Sequence, residues 1–202
     1  NHVTTGSGNV GSIEAGDGND TFSIGAGGVG YVTGGGGDNI FIFHDAGAQG
    51  GGVYDGGWDQ DRTNTLDLSA LTKPVTVSLS YPDWQNIVNP TNDVTSSNHW
   101  VKLANFRKLI GTFGDDMITG AYDRSVLVGG AGNDTLIGPD GSQTSAVYTG
   151  SFSDYTISKE SNNIITVIDN RDGSPEGTDQ LTGISQLIFS DLTMATSDIV
   201  PS

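Results

Sequence analysis

The sequence predicts an all-β fold made of short strands and tight turns that follow one another as stacked half-coils. Apolar residues recur every nine positions in two separate blocks, 31 of the 202 residues are glycine, and no segment of useful length has a helical pattern. Only 34% of the residues are hydrophobic, so the core must be thin.

The repeating unit is nine residues long, and each part of it has a structural task. Glycines at its start permit positive φ and a tight turn, an aspartate adds a carboxylate at the end of that turn, and the flanked apolar residue forms a very short strand. The apolar position is occupied in the amino block by Ile13, Phe22, Tyr31 and Ile40, and in the carboxyl block by Ile118, Leu127 and Leu136.

Units two apart are expected to lie on the same edge of the molecule, because nine residues make half a coil and eighteen make a full one. The aspartates follow this rule, since Asp20 and Asp38 are eighteen residues apart, as are Asp116 and Asp134. The units between them lack the aspartate. We therefore expect two pairs of stacked carboxylates, one pair in each block.

Calcium is the metal that such a pair is expected to bind. Stacked carboxylates repel each other without a cation. Together with inward-pointing carbonyl groups they form a flexible cage of oxygen ligands at about 2.3 to 2.6 Å, which suits Ca²⁺ better than the strictly octahedral Mg²⁺. The composition agrees, because 21 of the 24 acidic residues are aspartate and the net charge is −16. A bias toward the shorter acid indicates carboxylates placed in turns.

The repeats resemble a known family of calcium-binding sequences. GGAGNDTLI at 129–137 matches the GGxGxDxUx nonapeptide of RTX proteins, also called hemolysin-type calcium-binding repeats. Close variants are AGDGNDTFS, TGGGGDNIF and GTFGDDMIT, and the segments at 54–71, 109–120 and 177–191 resemble those that flank and close such repeats. The resemblance implies a right-handed parallel β-roll (a β-solenoid), a secreted protein, and export by a type I secretion machinery.

The resemblance also implies which residues form the calcium sites, with at least one ion in each block. The glycines allow the turn or contribute carbonyl oxygens, and the aspartates contribute carboxylates. The implied residues are Gly16, Gly18, Asp20, Gly34, Gly36 and Asp38 in the amino block, and Gly111, Gly114, Asp116, Gly130, Gly132 and Asp134 in the carboxyl block.

The remaining segments are expected to complete and close the stack. Residues 1–144 are predicted to form the calcium-binding roll, with a non-repeat insertion at about 44–110, and residues 145–202 a β-strand cap continuous with it. Without a cap, a stack exposes apolar ends and unpaired strand edges. β-Branched and aromatic residues predict strands at 39–43, 75–79, 99–106, 146–150, 154–158, 163–169 and 185–191.

Several classes of function are disfavoured. The chain has no cysteine, which excludes disulfides and thiolate metal sites, and no apolar run long enough to span a membrane. The amino end also lacks the pattern of a signal peptide. Nucleic acid is not an expected partner, because basic residues are few. The three histidines are isolated and no GxSxG motif is present, so we expect no catalytic site.

Two short motifs have a simpler interpretation than their usual one. GAGGVG at 25–30 and GSGNVG at 6–11 fit GxGxxG, but the first is followed by a predicted strand, where a dinucleotide site needs a helix. NDT at 19–21 and 133–135 fits a glycosylation sequon, but both copies lie inside the repeat turns.

Three groups of residues leave two interpretations open. Another calcium site or a solvated loop is expected at Asp55, Asp59, Asp61 and Asp67. A weaker metal candidate, which begins like an EF-hand but lacks its closing glutamate, is Asp169 with Asp172. Platforms for sugar rings or rings that fill the core are expected at Trp58, Trp84 and Trp100, of which Trp84 is the best sugar candidate.

We expect a calcium-binding RTX module that folds on calcium binding outside the cell and supports the secretion and stability of a larger exported protein. Such a module is not an enzyme. The alternative is a carbohydrate-binding or adhesive accessory module of a polysaccharide-modifying enzyme, in which an acidic polysaccharide would bind through bridging calcium or through Lys102, Arg107 and Lys108. A third hypothesis is a β-helical polysaccharide lyase or hydrolase, which product release from a glycan would support.

Overall fold

A computed structural model of the chain is all-β, with largely parallel sheets, which confirms the predicted fold class. The structure describes residues 1–25, 27, 29–44, 52–57, 62–80, 83–87 and 100–201. Within these ranges the only helical elements are two single 3₁₀ turns, Phe152–Asp154 and Thr196–Asp198. No helix in the described part of the chain is long and apolar enough to cross a bilayer.

The described residues contain twenty strands, most of them three to five residues long. The first ten are β1 (His2–Thr4), β2 (Val10–Glu14), β3 (Thr21–Ile24), β4 (Val29–Thr33), β5 (Ile40–Phe43), β6 (Gly52–Asp55), β7 (Thr65–Asp67), β8 (Thr76–Ser78), β9 (Gln85–Asn86) and β10 (Trp100–Ala104). The others are β11 (Lys108–Ile110), β12 (Met117–Thr119), β13 (Arg124–Val128), β14 (Thr135–Ile137), β15 (Gln143–Val147), β16 (Tyr155–Lys159), β17 (Ile165–Asp169), β18 (Thr178–Thr182), β19 (Ile184–Ile188) and β20 (Thr193–Ala195).

Within each repeat block successive strands alternate between two sheets, so there strands two apart in the chain are hydrogen-bonded neighbours. Sheet 1 runs the whole length in the order β1-β3-β5-β7-β11-β13-β15-β19-β20. Sheet 2, β2-β4-β6-β10-β9, alternates with it in the amino half, and sheet 3, β16-β17-β18-β14-β12-β8, alternates with it in the carboxyl half. All pairings are parallel except those of β9, β16, β17 and β20. Each of the seven predicted strand segments contains or overlaps an observed strand.

The core is a set of straight rows of inward side chains. Of the seven apolar repeat positions predicted, Phe22, Ile118, Leu127 and Leu136 are buried, while Ile13 and Tyr31 are half-buried. The prediction is wrong at Ile40, which is 39% exposed, because the pairing of Thr21 with Ile40 places Phe41 beside Phe22. One row on sheet 1 has seven members in register, all fully buried, and the first two rings are stacked with their centroids 4.4 Å apart. Burying one such side chain contributes about 1.5 to 3 kcal/mol to folding. The row is Phe22, Phe41, Leu66, Leu109, Leu127, Ala146 and Leu187.

The segment at 44–110, expected as a non-repeat insertion, contributes strands to all three sheets. β7 pairs with β5 on one side and with β11 on the other, so sheet 1 passes from the amino block to the carboxyl block without a gap. β8 begins sheet 3, while β10 extends sheet 2 beside β6. The two blocks therefore belong to one continuous stack in which the partner of sheet 1 changes.

The carboxyl-terminal strands finish the stack with antiparallel pairs. β18 and β19 still pair in parallel with the preceding coil, at β14 and β15. β17 and β16 then fold back along β18, and β20 folds back along β19. Antiparallel return strands of this kind block further coils from adding at that end.

The glycine positions of the two blocks differ from the predicted ones. Positive φ occurs at Gly16 and Gly18, but in the next coil at Gly35 and Gly37 rather than at Gly34 and Gly36. The amino-block coils have nineteen residues, since Thr21 pairs with Ile40, so the turn falls one residue later. In the carboxyl block Gly130 and Gly132 have positive φ, whereas Gly111 and Gly114 do not.

Gly130 combines two requirements, and its substitution tests them. Its φ is +113°, and a Cβ there would lie 2.0 Å from the carbonyl oxygen of Thr112 in the preceding coil. We expect Gly130→Ala to lower the free energy of unfolding in saturating calcium by about 3 kcal/mol or more, measured by urea denaturation. Gly141→Ala is the matched control, because Gly141 also has positive φ but open space around it, and about 1 kcal/mol is expected. Equal losses would show that crowding between coils has no effect.

Candidate cation site

Each coil has a polar dipeptide at the end of its turn, and these dipeptides stack into ladders. The second side chain of the dipeptide is buried and accepts a hydrogen bond from the main-chain N–H one coil earlier. The first side chain of the dipeptide is exposed where it is Asn or Asp, and it accepts a hydrogen bond from a main-chain N–H in the neighbouring coil. These first side chains form the outer ladder, which contains Asn19, Asp38, Asp115 and Asn133. The inner ladder of the amino block is Asp20, Asn39 and Asn64, and that of the carboxyl block is Asp116, Asp134 and Asp179.

The carboxyl ladder consists of three buried carboxylates from consecutive coils. The N–H of Val75 donates to Asp116 Oδ1 at 2.7 Å. The N–H of Asp116 donates to Asp134 Oδ1 at 2.8 Å, and the N–H of Asp134 donates to Asp179 Oδ1 at 2.8 Å. Asp116 has further donors in the N–H and the hydroxyl of Thr112. The predicted stacking of Asp116 with Asp134 is thus present in the structure.

The predicted stacking of Asp20 with Asp38 is wrong. Asp20 is buried and faces Asn39, whose Oδ1 accepts from the Asp20 N–H at 2.9 Å. Asp38 is exposed and belongs to the outer ladder, where its N–H donates to Asn19 Oδ1 at 2.9 Å. The cause is the nineteen-residue coil, which shifts the pairing by one residue relative to the eighteen-residue spacing of the two aspartates.

The second polar atom of an inner-ladder side chain, Nδ2 in Asn or Oδ2 in Asp, needs a partner of its own, as Asn39 shows. Its Nδ2 donates to the carbonyl oxygens of Gly37 and Gly56, at 3.2 and 3.0 Å. Asp134 has an oxygen in place of that donor, and this Oδ2 atom is buried without a hydrogen-bond partner. Oδ2 of Asp20 is in the same condition. Both aspartates belong to a GNDT sequence, so the two blocks have an equivalent unsatisfied oxygen where a proton or a cation would fit.

The first glycine of a repeat makes space for the ladder side chain. A Cβ at Gly129 would lie 2.1 Å from Asp134 Oδ2, and one at Gly111 would lie 2.5 Å from Asp116 Oδ2. Gly34 has the same relation to Asn39 Nδ2, at 2.4 Å. These glycines are therefore required by close approach rather than by the conformation of the turn.

The carboxyl ladder resists ionisation in the absence of a cation. The pKa of Asp134 is raised to about 8, chiefly by burial and also by the nearby carboxylates of Asp179, Asp116 and Asp115, although the hydrogen bond from the Asp116 N–H opposes the rise. Burial also raises the pKa of Asp179 to about 7. The pKa of Asp116 is raised as well, again chiefly by burial. A divalent cation would lower all three values by favouring the charged forms.

Asp179 is a site residue that the sequence reasoning missed. GTDQL at 177–181 repeats the pattern of GNDTL at 132–136, and β18 pairs with β14 so that Leu181 lies beside Leu136. The buried hydroxyl of Tyr148 lies near Asp179, and burial raises the pKa of that hydroxyl well above its usual value. The signal was therefore visible as a repeat, but 45 residues separate the two aspartates.

A second acidic group beside the ladder, formed by Asp169 and Glu176, is already paired with an arginine. Arg171 pairs with Asp169 through Nε to Oδ1 at 2.9 Å and Nη2 to Oδ2 at 2.8 Å, and Nη2 also reaches Glu176 Oε2 at 2.8 Å. The guanidinium beside it lowers the pKa of Asp169 to about 2. Asp169 is therefore part of an ion-pair network in the cap, and this opposes the weaker metal interpretation of Asp169 and Asp172.

Two open groups of the sequence analysis are partly resolved. Asp55 has a hydrogen-bond partner on each oxygen, with Gly57 and Asn105 on Oδ1 and the Tyr31 hydroxyl on Oδ2. Asp67 accepts from Ser69. Trp84 and Trp100 are 45% and 51% exposed, so neither fills the core. Outside the described residues lie Trp58, Asp59, Asp61 and His99.

The basic residues expected to act together lie on two sheets. Lys102 is in β10 of sheet 2, whereas Lys108 begins β11 of sheet 1, directly after Arg107. On sheet 1 the third basic residue is Arg124, on the neighbouring strand β13. Lys102 therefore does not contribute to the basic surface that contains Arg107.

The donor set for a metal is limited in the part of the chain that the structure describes. There, no group of three or more His, Asp or Glu side chains is placed to hold a metal ion. A cation at Asp20 or Asp134 would therefore take most of its ligands from main-chain carbonyl oxygens and water, with one or two carboxylates. Ca²⁺ accepts such a mixed oxygen set, whereas Mg²⁺ demands a more regular one.

The comparisons with known proteins do not assign the chain to a family. No protein-family model matches it, and no curated protein matches it significantly. The likeness to calcium-binding nonapeptides therefore depends on the repeat residues themselves.

Proposed function

We propose that the chain is a calcium-binding module, a right-handed parallel β-roll of the RTX kind, which folds when calcium binds. The observation that carries this proposal is the buried, unpartnered Oδ2 atom at both Asp20 and Asp134. The two residues hold the same place in the two GNDT turns, one in each block. A calcium ion at each place would satisfy the Oδ2 atom. At Asp134 it would also compensate a buried charge, whereas Oδ1 of Asp20 already forms an ion pair with the N-terminal ammonium.

The carboxyl site is expected to be the stronger of the two. Its ladder has three carboxylates, Asp116, Asp134 and Asp179, whereas the amino ladder has Asp20 with two amides. Ligand charge raises the calcium affinity of a site. Asp134 would be the central ligand, with a neighbouring carboxylate and main-chain carbonyls completing the shell.

Calcium binding of this kind would couple folding to the extracellular environment. A site with an affinity of about 10⁻⁴ to 10⁻³ M contributes only about 0.4 to 1.4 kcal/mol at about 1 mM calcium, so one weak site cannot order the stack. Folding then requires either several cooperating sites or a tighter carboxyl site. Cytosolic calcium is too low for either, and this supports a module that stays unfolded until a larger protein carrying it is exported, by a type I route.

Calcium titration of the chelator-treated chain tests the proposal. Isothermal titration calorimetry is expected to show binding of at least one ion per block, and far-UV circular dichroism a gain of β-structure with Ca²⁺ but not with equal Mg²⁺. Asp20→Asn with Asp134→Asn should remove most of the binding, while Asp38→Asn, on the exposed outer ladder, should leave it unchanged. A β-structure unaffected by chelator, together with no binding heat, would contradict the proposal.

A further inference from the structure

The outer face of sheet 1 has a groove that the calcium sites do not use. It has a volume of about 420 Å³ and runs from Arg107, just before β11, across β13, β15, β19 and β20. It therefore lies along the stack, perpendicular to the strands, which gives it an elongated shape. Its described lining residues are Thr63, Arg107, Arg124, Ser125, Val126, Gln143, Ser145, Ser185, Gln186 and Ala195.

The charge of the groove is opposite to that of the chain. None of the lining residues described by the structure is acidic, although the chain has 24 acidic residues and only 8 lysines and arginines. Arg107 and Arg124 both line it. Arg107 is held in position by an ion pair with Asp123 and by the carbonyl oxygen of Arg62, which fixes the orientation of its guanidinium. Nη2 of Arg107 is occupied by Asp123, so the exposed guanidinium of Arg124 is the better place for a ligand carboxylate, with Arg107 adding positive charge nearby.

A β-bulge increases the number of polar groups in the groove. Thr144 pairs with Ile184 and Ser145 with Gln186, so Ser185 is an extra residue in β19. Because of the bulge, two consecutive residues, Ser185 and Gln186, face the same groove instead of opposite sides of the sheet. Ser185 Oγ donates to the Thr144 carbonyl at 2.9 Å, which holds its hydroxyl in place.

We infer that this groove binds a carboxylated sugar chain, with a uronate carboxylate at Arg107 and Arg124 and sugar hydroxyls at the amide and hydroxyl groups farther along. The elongated shape and the row of neutral donors and acceptors, Gln143, Ser145, Ser185 and Gln186, suit a hydroxyl-rich oligomer better than a compact anion. The site is separate from the calcium ladders, because it lies on the solvent face of sheet 1.

Binding of oligogalacturonate tests the inference. Calorimetry at low ionic strength, with calcium constant and saturating, is expected to show binding of the oligogalacturonate but not of a neutral malto-oligosaccharide of equal length. Arg124→Gln should weaken it at least tenfold, since a charge-assisted hydrogen bond is lost. Lys102→Gln makes the same change of charge on sheet 2 and should have no effect.

Three results would overturn the inference. Equal binding of the neutral oligosaccharide would remove the role of the arginines. Binding of inorganic phosphate as tight as that of the oligomer would make the groove a simple anion site. Oligogalacturonate binding that survives both Arg107→Gln and Arg124→Gln would place the uronate elsewhere, for example on bound calcium. Changes in the NMR chemical shifts of the backbone amides of β13, β15 and β19, on titration with oligogalacturonate, would support binding in the groove directly.

Discussion

Asp134→Asn is expected to have opposite effects with and without calcium. Without the ion, at pH 8, the variant should be more stable than the parent chain by on the order of 5 kcal/mol, because the pKa of Asp134 is raised from about 3.9 in the unfolded chain to about 8 and each pKa unit corresponds to about 1.4 kcal/mol. With calcium the variant should lose most of its response to the ion. Because the calcium-free parent chain is expected to be largely unfolded at this pH, the measurement is the folded fraction by circular dichroism in chelator with a stabilising osmolyte, compared with urea denaturation in excess calcium.

The amino ladder explains why asparagine should be tolerated at this position. Asn39 holds the equivalent place, keeps the acceptor for the N–H of the preceding coil, and donates its second atom to two carbonyl oxygens. An asparagine at position 134 would still accept from the Asp116 N–H and would remove a buried charge. Asp134→Ala, by contrast, leaves that N–H without a partner and should destabilise both forms.

Asn39→Asp is the converse substitution and serves as the control. It would place a second carboxylate next to Asp20 and remove two hydrogen bonds to the carbonyls of Gly37 and Gly56. We expect it to destabilise the calcium-free chain and to make folding more dependent on calcium. If Asp134→Asn instead destabilised the chain in chelator as much as Asp134→Ala does, the Asp134 carboxylate would not destabilise the calcium-free fold. That result would contradict the cation site.

The strands and the core were predictable because their signal is local. Apolar residues at fixed spacing, flanked by glycine and aspartate, predicted short strands and several of their buried residues, such as Phe22, Leu127 and Leu136. At Ile40 the spacing failed, because Phe41 takes the inward place beside Phe22. What the spacing could not supply was the register. In the amino block the polar dipeptide is Asn19-Asp20 in one coil and Asp38-Asn39 in the next.

The exchange of Asn and Asp misled the site prediction for a physical reason. Both side chains accept a main-chain N–H through Oδ1, so the main-chain N–H groups of the ladder find an acceptor whichever residue is present. Matching aspartate to aspartate therefore gave a spacing of eighteen, whereas the backbone pairs residues nineteen apart. The third carboxylate of the carboxyl ladder, Asp179, was hidden by the 45 residues that separate it from Asp134.

The calcium-free chain is expected to lose stability as the pH rises from about 4 to about 8. Burial raises the folded-state pKa of Asp134 to about 8 and that of Asp179 to about 7, above the value of about 3.9 for an unfolded aspartate. Between these values the folded state binds more protons than the unfolded state, so the free energy of unfolding falls as protons are removed. Below about pH 4 both states hold the protons and the slope disappears.

Asp169 should limit stability on the acid side. The guanidinium of Arg171 lowers its pKa to about 2, so the stability from this pair is present above about pH 4 and is lost as the pH falls through about 2. The calcium-free protein is therefore expected to be most stable near pH 4 to 5. Other charged groups facing the ladder are Asp115, Asp116 and Glu176.

Calcium should reverse the slope, because the ion binds the deprotonated carboxylates and therefore stabilises the fold more as the pH rises. The folded fraction by circular dichroism at pH 5, 6, 7 and 8 measures both slopes, in chelator with a constant concentration of stabilising osmolyte and in calcium with urea. The double variant Asp134→Asn with Asp179→Asn separates the ladder from the general repulsion of a chain with net charge −16. In chelator its slope should be much shallower than that of the parent chain. Equal slopes would show that the pH dependence comes from surface charge and not from the buried carboxylates.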